Sequence, residues 1–189
     1  MSEVRQLHNG RLKIYLSYAA GAGKTYRMLE DAQQARRKGM DVAVGYFEPH
    51  ERKDTIAKLE GLELIPRRSM EYRDKRFEEL DVEAILLRSP AICLVDEFAH
   101  SNAPGSRRTK RWEDVLELLN TGIRVFMSET VTYLFYKDTE TIERFVEEIT
   151  TTRNTKDLVP LLHRFGAYLD TLLGQVALRT VLAGEPLAH

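Results

Sequence analysis

The run Ala19-Ala20-Gly21-Ala22-Gly23-Lys24-Thr25 lies between an apolar stretch, Leu12 to Leu16, and a helix-like stretch, Tyr26 to Lys38. A strand, a glycine turn ending in Gly-Lys-Thr and then a helix is the arrangement of a phosphate-binding loop. The physics is local. Glycines let the chain curl so that successive N–H groups converge on phosphate oxygens. The helix after the turn adds the positive end of its dipole. Gly21, Ala22, Gly23 and Tyr26 then line the cradle, Lys24 puts a cation on the β- and γ-phosphates, and the Thr25 hydroxyl ligates Mg²⁺. The strict pattern asks for glycine at position 18, where this chain has Tyr18. A bulky residue there crowds the start of the turn. A deformed loop with little nucleotide affinity is the competing reading.

Short β-rich runs alternate with helical ones. Strands are expected at Leu12 to Ser17, Val42 to Phe47, Leu62 to Ile65, Ala91 to Val95 and Ile123 to Met127. Helices are expected at Lys24 to Lys38, Lys53 to Glu60, Arg76 to Arg88 and Lys110 to Asn120, with Gly39 as a C-terminal stop. This alternation predicts an α/β fold of the P-loop NTPase kind, a mostly parallel sheet flanked by helices, with ligands at the carboxyl ends of the strands. Thr139 to Ile149 reads as an acidic helix, and Thr150 to Asn154 as a linker. From Leu158 onward, Leu161, Leu162, Phe165, Leu169, Leu172, Leu173 and Val176 recur at helical spacing. Residues 1–150 are therefore expected to form the nucleotide-binding domain and 151–189 a helical C-terminal extension. The extension either packs on its own core or offers a docking surface, a homodimer contact among them. Gly166 and Gly174 weaken it by ~1 kcal/mol each relative to alanine.

Pro90 to Glu97 is an apolar strand ending in two carboxylates. It carries Asp96 to the phosphate-loop edge, where the carboxylate can hold Mg²⁺, and leaves Glu97 to orient or deprotonate a water. Alone the motif is weak, but paired with Lys24-Thr25 it predicts one site from two independent pieces. Glu48, His50 and Arg52 come after the second strand at the same edge, either near a nucleotide or as a polar turn. The segment His100 to Arg111 is too long and too specific in its polar residues for a plain connector. Arg107 and Arg108 suit phosphate oxygens, although a basic cluster before a helix is often solvated.

Composition narrows the class. A net charge of −1 gives no bulk attraction to nucleic acid. No apolar run approaches a membrane span, and the first ten residues lack a signal-peptide core. The single cysteine, Cys93, lies in an apolar run, which fits a reducing cytoplasm and makes an inert buried thiol.

Several of these residues together carry a resemblance. Lys13 to Leu16, Ala20 to Tyr26, Met28-Leu29, Gly45 to Glu48 with His50 and Arg52, and Ile92 to Glu97 resemble the N-terminal cytoplasmic domain of KdpD-type potassium-sensor histidine kinases. The most specific piece is Ala99-His100-Ser101-Asn102-Ala103-Pro104-Gly105-Ser106-Arg107 with Lys110-Arg111-Trp112. The likeness runs from about Arg11 to Arg124. It implies an ATP-binding module that modulates the kinase and phosphatase balance of an attached sensor in a two-component system. ATP and Mg²⁺ are the implied cofactors and a signalling kinase the implied partner. The family's Asn-x-Gln-His element after Val125 is replaced here by Thr130-Val131-Thr132-Tyr133. A histidine-kinase core is not recognisable in these residues, so at most slow ATP hydrolysis is expected. A small nucleoside kinase and an interaction module without nucleotide are the rival functions.

Overall fold

A computed structural model describes residues 10–17, 22–48, 53–130, 139–152, 157–169 and 171. Tyr18, Gly21, His50, Arg52, Val131 to Tyr133 and the stretch beyond 171 lie outside the described residues. The described elements run β1 (Leu12–Ser17), α1 (Lys24–Arg37), β2 (Val42–Tyr46), α2 (Lys53–Ala57), β3 (Glu63–Leu64), β4 (Arg68–Tyr72), β5 (Lys75–Glu79), α3 (Val82–Arg88), β6 (Ile92–Val95), α4 (Arg111–Asn120), β7 (Arg124–Thr130) and α5 (Thr139–Thr151). A further helical run, α6, covers residues 157–169.

The fold is α/β. Five strands form a parallel sheet in the order β1-β7-β6-β2-β3. Parallel strands buried on both faces read as continuous apolar runs, which is why β2 and β6 were legible. One face of the sheet packs on α1, where Met28, Leu29, Ala32 and Ala35 meet Tyr15, Val44, Ile92 and Leu94. The other face carries the larger core. Ala43, Cys93, Val95, Val125 and Met127 point that way and meet α3, α4, α5 and α6. Leu158, Leu162, Phe165 and Leu169 of α6 belong to this core. Gly166 sits where a Cβ would come 2.6 Å from Trp112 Nε1, so the glycine lets α6 approach α4. Thr150 and Thr151 belong to α5 rather than to a linker.

One predicted element is replaced. Arg76 to Arg88 is not a single helix: its first part is strand β5, paired antiparallel with β4, and only Val82–Arg88 is helical. The cause is the two-residue turn Arg73-Asp74, with φ of 48° and 62°. Both central residues at positive φ is the hairpin turn whose twist matches its strands. The helix then starts at Asp81, whose side chain accepts the Ala84 N–H at 2.9 Å. Helix α2 also stops early, at Ala57, before the turn at Gly61.

Strand β2 contains a bulge. Val44 pairs with Leu94 but Tyr46 with Val95, so Gly45 is an extra residue in the strand. A bulge shifts the side chains beyond it to the opposite face. Tyr46 therefore joins the α4 side of the sheet with Ala43, not the α1 side with Val44.

Candidate nucleotide site at the carboxyl edge of the sheet

Because every pairing in the main sheet is parallel, all its strands end at one edge. Met127 of β7 pairs with Ile14 on one side and Val95 on the other. The end of β6 is thus level with the middle of β1, and the residues after each strand share that edge. Strand β7 lies between them, so the strand that leads to the Gly23-Lys24-Thr25 turn and the Asp96-Glu97 strand are two spacings apart, about 10 Å.

Gly23 caps α1 at φ 85° and ψ 9°, a left-handed conformation that favours glycine. A Cβ there would meet nothing within 4 Å, so the demand is on the backbone and not on space. Thr25 is buried in the first turn, and Lys24 Nζ donates to its hydroxyl at 3.4 Å. Among the described residues Lys24 makes no ion pair with a carboxylate. Helix α1 is pinned to β1 by Asp31, which accepts from Lys13 Nζ at 2.6 Å and Tyr15 OH at 2.7 Å.

Asp96 is fully buried. Its Oδ1 accepts the Ser128 hydroxyl from β7 and the Glu97 N–H at 3.2 Å. Its Oδ2 is buried with no hydrogen-bond partner among the described residues. An orphaned carboxylate oxygen is costly, and a cation is the chemistry that would satisfy it. Glu97 stands at φ 60°, a left-handed conformation for a non-glycine residue. Such geometry costs of order 1–3 kcal/mol and is kept only when neighbours impose it.

The neighbour here is Arg111, a residue whose role the motifs did not reveal. It is fully buried. Its Nη1 donates to the Asp96 carbonyl at 3.1 Å and to Glu97 Oε2 at 3.4 Å, and its Nη2 donates to Glu79 Oε2 at 3.2 Å. Its guanidinium lies 3.6 Å from the centroid of the Tyr46 ring. Glu79, at the end of β5, also accepts the Ala103 N–H at 2.7 Å and has His100 Nε2 at 3.2 Å. Burial alone would raise the Glu79 carboxyl, but His100, the Ala103 amide and the Arg111 charge outweigh it and hold it low. Burial raises the Tyr46 hydroxyl, which donates to Glu48 at 3.0 Å.

The segment His100 to Arg111 is folded on itself. Ser101 bridges Lys110, and Asn102 N–H donates to the Thr109 carbonyl at 2.9 Å. Asn102 Nδ2 reaches Asp114 at 2.6 Å, and Arg108 pairs with Asp114 and Glu117. Burial raises the Asp114 carboxyl. Arg107 is exposed and lies 3.5 Å from Glu117 on the outer side of α4. Helix α4 covers the sheet face opposite α1, and Arg107 meets it through this pair. The signal for Arg111 was available: a cation in the first turn of a helix opposes the dipole and calls for carboxylates nearby. Cys93 is fully buried and its thiol is pushed up to about 12, the inert thiol expected.

Comparison with known proteins adds identity to this geometry. The family model described as KdpD, osmosensitive K⁺ channel His kinase sensor domain, matches residues 8–163. The match thus continues past Arg124, where the recognisable motifs ended, into α5 and α6. The sensor protein KdpD of Escherichia coli strain K12 is 50% identical over 127 residues, covering 67% of this chain and 14% of that protein. The sensor protein KdpD of Mycobacterium tuberculosis is 48% identical over 141 residues, 75% of this chain and 16% of the relative. That of Clostridium acetobutylicum is 45% identical over 132 residues, 70% of this chain and 15% of the relative. The matched region therefore spans about a seventh of the length of these relatives. Among the described residues no helix is long and apolar enough to cross a membrane. A family model matched over most of the sequence, together with relatives at this identity, means that the chain belongs to the KdpD sensor-domain family.

Proposed function

We propose that this chain binds ATP with Mg²⁺ at the carboxyl edge of its sheet and uses the bound state to modulate a potassium-responsive two-component system. The observation that carries the reading is the orphaned Oδ2 of buried Asp96, at the same strand edge as Gly23, Lys24 and Thr25. In this reading Gly21, Ala22, Gly23 and Tyr26 offer backbone amides to phosphate, and Lys24 supplies the cation. Thr25 and Asp96 hold Mg²⁺, with Ser128 orienting Asp96. The metal would neutralise phosphate charge.

Glu97 is the group suited to orient a water. It is shared with Arg111 at 3.4 Å and faces His100 Nδ1 at 3.8 Å, so its carboxylate is restrained. Arg107 is engaged with Glu117. Hydrolysis is accordingly slow, and occupancy rather than turnover carries the signal. The attached partner is a sensor histidine kinase, in keeping with the description of the matched family model, and the setting is the cytoplasm. The apolar face of α6 over residues 157–169 is occupied by the core.

Calorimetric titration of ATP with and without Mg²⁺ tests the reading on wild type, Lys24→Ala and Asp96→Asn. Wild type should bind and depend on Mg²⁺. Lys24→Ala should lose most affinity, and Asp96→Asn most of the metal dependence. Equal affinity in all three would remove this edge as the site.

A further inference from the structure

Beside the start of α1 lies an open groove of about 650 Å³, lined by the cap residue Gly23, by Tyr26 of α1's first turn and by Lys53, Asp54, Thr55 and Lys58 from α2 and its end. Its volume is in the range of small-molecule sites. The groove wall is held in place, since Gln33 Nε2 of α1 donates to the carbonyls of Lys58 at 2.8 Å and Glu60 at 2.9 Å. Tyr26 is 36% exposed, one of few large hydrophobic residues left to solvent among the described residues. Lys58 Nζ lies 4.9 Å from its ring centroid.

We infer that this groove receives the base of the bound nucleotide, stacked on the Tyr26 ring. The inference rests on the nucleotide reading above and extends it. In a Gly-Lys-Thr cradle the Lys reaches the β- and γ-phosphates while backbone amides hold the α- and β-phosphates. Tyr26 directly follows Thr25, so the α-phosphate end of the ligand leaves the cradle on its side. The groove opens there, next to Gly23, and offers what a nucleoside needs. It has an aromatic face for the base, two lysine ammoniums toward residual phosphate charge, and the Asp54 and Thr55 side chains toward exocyclic or ribose donors. Stacking on an aromatic ring is sequence-tolerant, so Tyr26 would give affinity for the base, while Asp54 and Thr55 are the groups placed to discriminate purines.

The test compares Mg²⁺-ATP, Mg²⁺-GTP and Mg²⁺-tripolyphosphate by calorimetry on the full chain as wild type, Tyr26→Ala, Tyr26→Phe and Lys24→Ala. Tyr26 is half-exposed at the surface, so an unchanged melting curve is expected for its variants. In wild type the nucleotides should bind at least tenfold more tightly than tripolyphosphate. Tyr26→Ala should weaken both nucleotides about tenfold or more and weaken tripolyphosphate far less, because alanine keeps the backbone N–H offered to phosphate, and Tyr26→Phe should restore nucleotide binding. Loss of ATP affinity on Lys24→Ala but not on Tyr26→Ala would overturn the base groove and leave the phosphate site standing. Equal loss of all three ligands on Tyr26→Ala would also overturn it, because the ring would then act on the cradle and not on a base. If wild type binds neither nucleotide nor tripolyphosphate, the nucleotide reading falls and the groove assignment with it.

Discussion

The guanidinium carbon of Arg111 lies over the Tyr46 ring, 3.6 Å from its centroid, and the residue has no solvent exposure. Two separate features of the chain create this contact. The extra residue at Gly45 turns Tyr46 to the α4 side of the sheet. The closed His100 to Lys110 segment delivers Arg111 as the first residue of α4. Arg111 then reaches the Asp96 carbonyl, Glu97 and Glu79 at once, joining the strand end that carries the acidic pair to the β4–β5 hairpin.

Removing that cation should be severe. Arg111→Ala leaves Glu79 buried beside His100 and without its charge partner, and breaking a buried pair of this kind costs about 3–5 kcal/mol. Arg111→Lys should recover only part of the loss, because an ammonium lacks the planar fork that reaches two carboxylates and a carbonyl at once. Urea unfolding midpoints check both, and a midpoint unmoved in Arg111→Ala would show that the pair contributes nothing.

Glu79 gives a pH dependence with a definite sign. Its folded-state carboxyl is held below the ordinary glutamate value of 4.5. A lowered folded value means stability that is present above the unfolded value and lost as pH falls through the folded one. Unfolding free energy should therefore drop as pH falls below about 4.5, and Glu79→Gln should make that drop shallower while lowering stability at neutral pH. Parallel slopes for the two proteins between about pH 5 and pH 3, measured by denaturant titration, would deny Glu79 this role.

Two effects oppose each other in Gly166→Ala. Alanine improves helix propensity by ~1 kcal/mol. Against this, its Cβ would stand 2.6 Å and 2.7 Å from the Nε1 and Cε2 atoms of Trp112. The indole is buried and held edge-on by His163 at 4.7 Å, so it has little room to retreat. Overpacking of this kind costs about 1–3 kcal/mol, and the clash should win. A lowered melting temperature is expected, whereas a raised one would mean that α6 can shift away from α4.

Ser128 should matter to metal dependence more than to folding. Its hydroxyl is the side-chain partner that orients Asp96. Loss of such an orienting partner typically costs roughly 10–100-fold, so Ser128→Ala should weaken Mg²⁺ affinity, measured with ATP present, by that factor. The folded baseline should change by only about 1 kcal/mol. Unaltered Mg²⁺ dependence would separate Asp96 from the metal.

Legibility differed by element. Strands β2 and β6 and helices α1 and α4 were readable because fully buried strands and one-sided helices leave unmistakable apolar patterns. The hairpin was not, because β4 and β5 are largely exposed and mix charges on both faces, which suits a solvated helix equally well. The turn that decides it, Arg73-Asp74, lacks the glycine that usually announces such a bend. Arg107 and Arg108 stand out in the basic run by chemistry alone. The closed loop engages both with acids of α4 and gives the buried position to Arg111, further along the same run.

What the amino-acid order determined by itself is the alternation of strands and helices, the Gly23-Lys24-Thr25 turn, and the acidic strand end at Asp96-Glu97. Each is a local matter of side-chain periodicity and backbone freedom within a few residues. Long-range packing sets the insertion of β7 between β1 and β6, which brings Ser128 to Asp96, and the convergence of Tyr46, Glu79, Glu97 and His100 on Arg111. Those contacts join residues far apart in the chain, Tyr46 and Arg111 the most distant of them. They depend on strand order, a bulge and a desolvated charge finding its partners, and none of these leaves a periodic trace in the sequence.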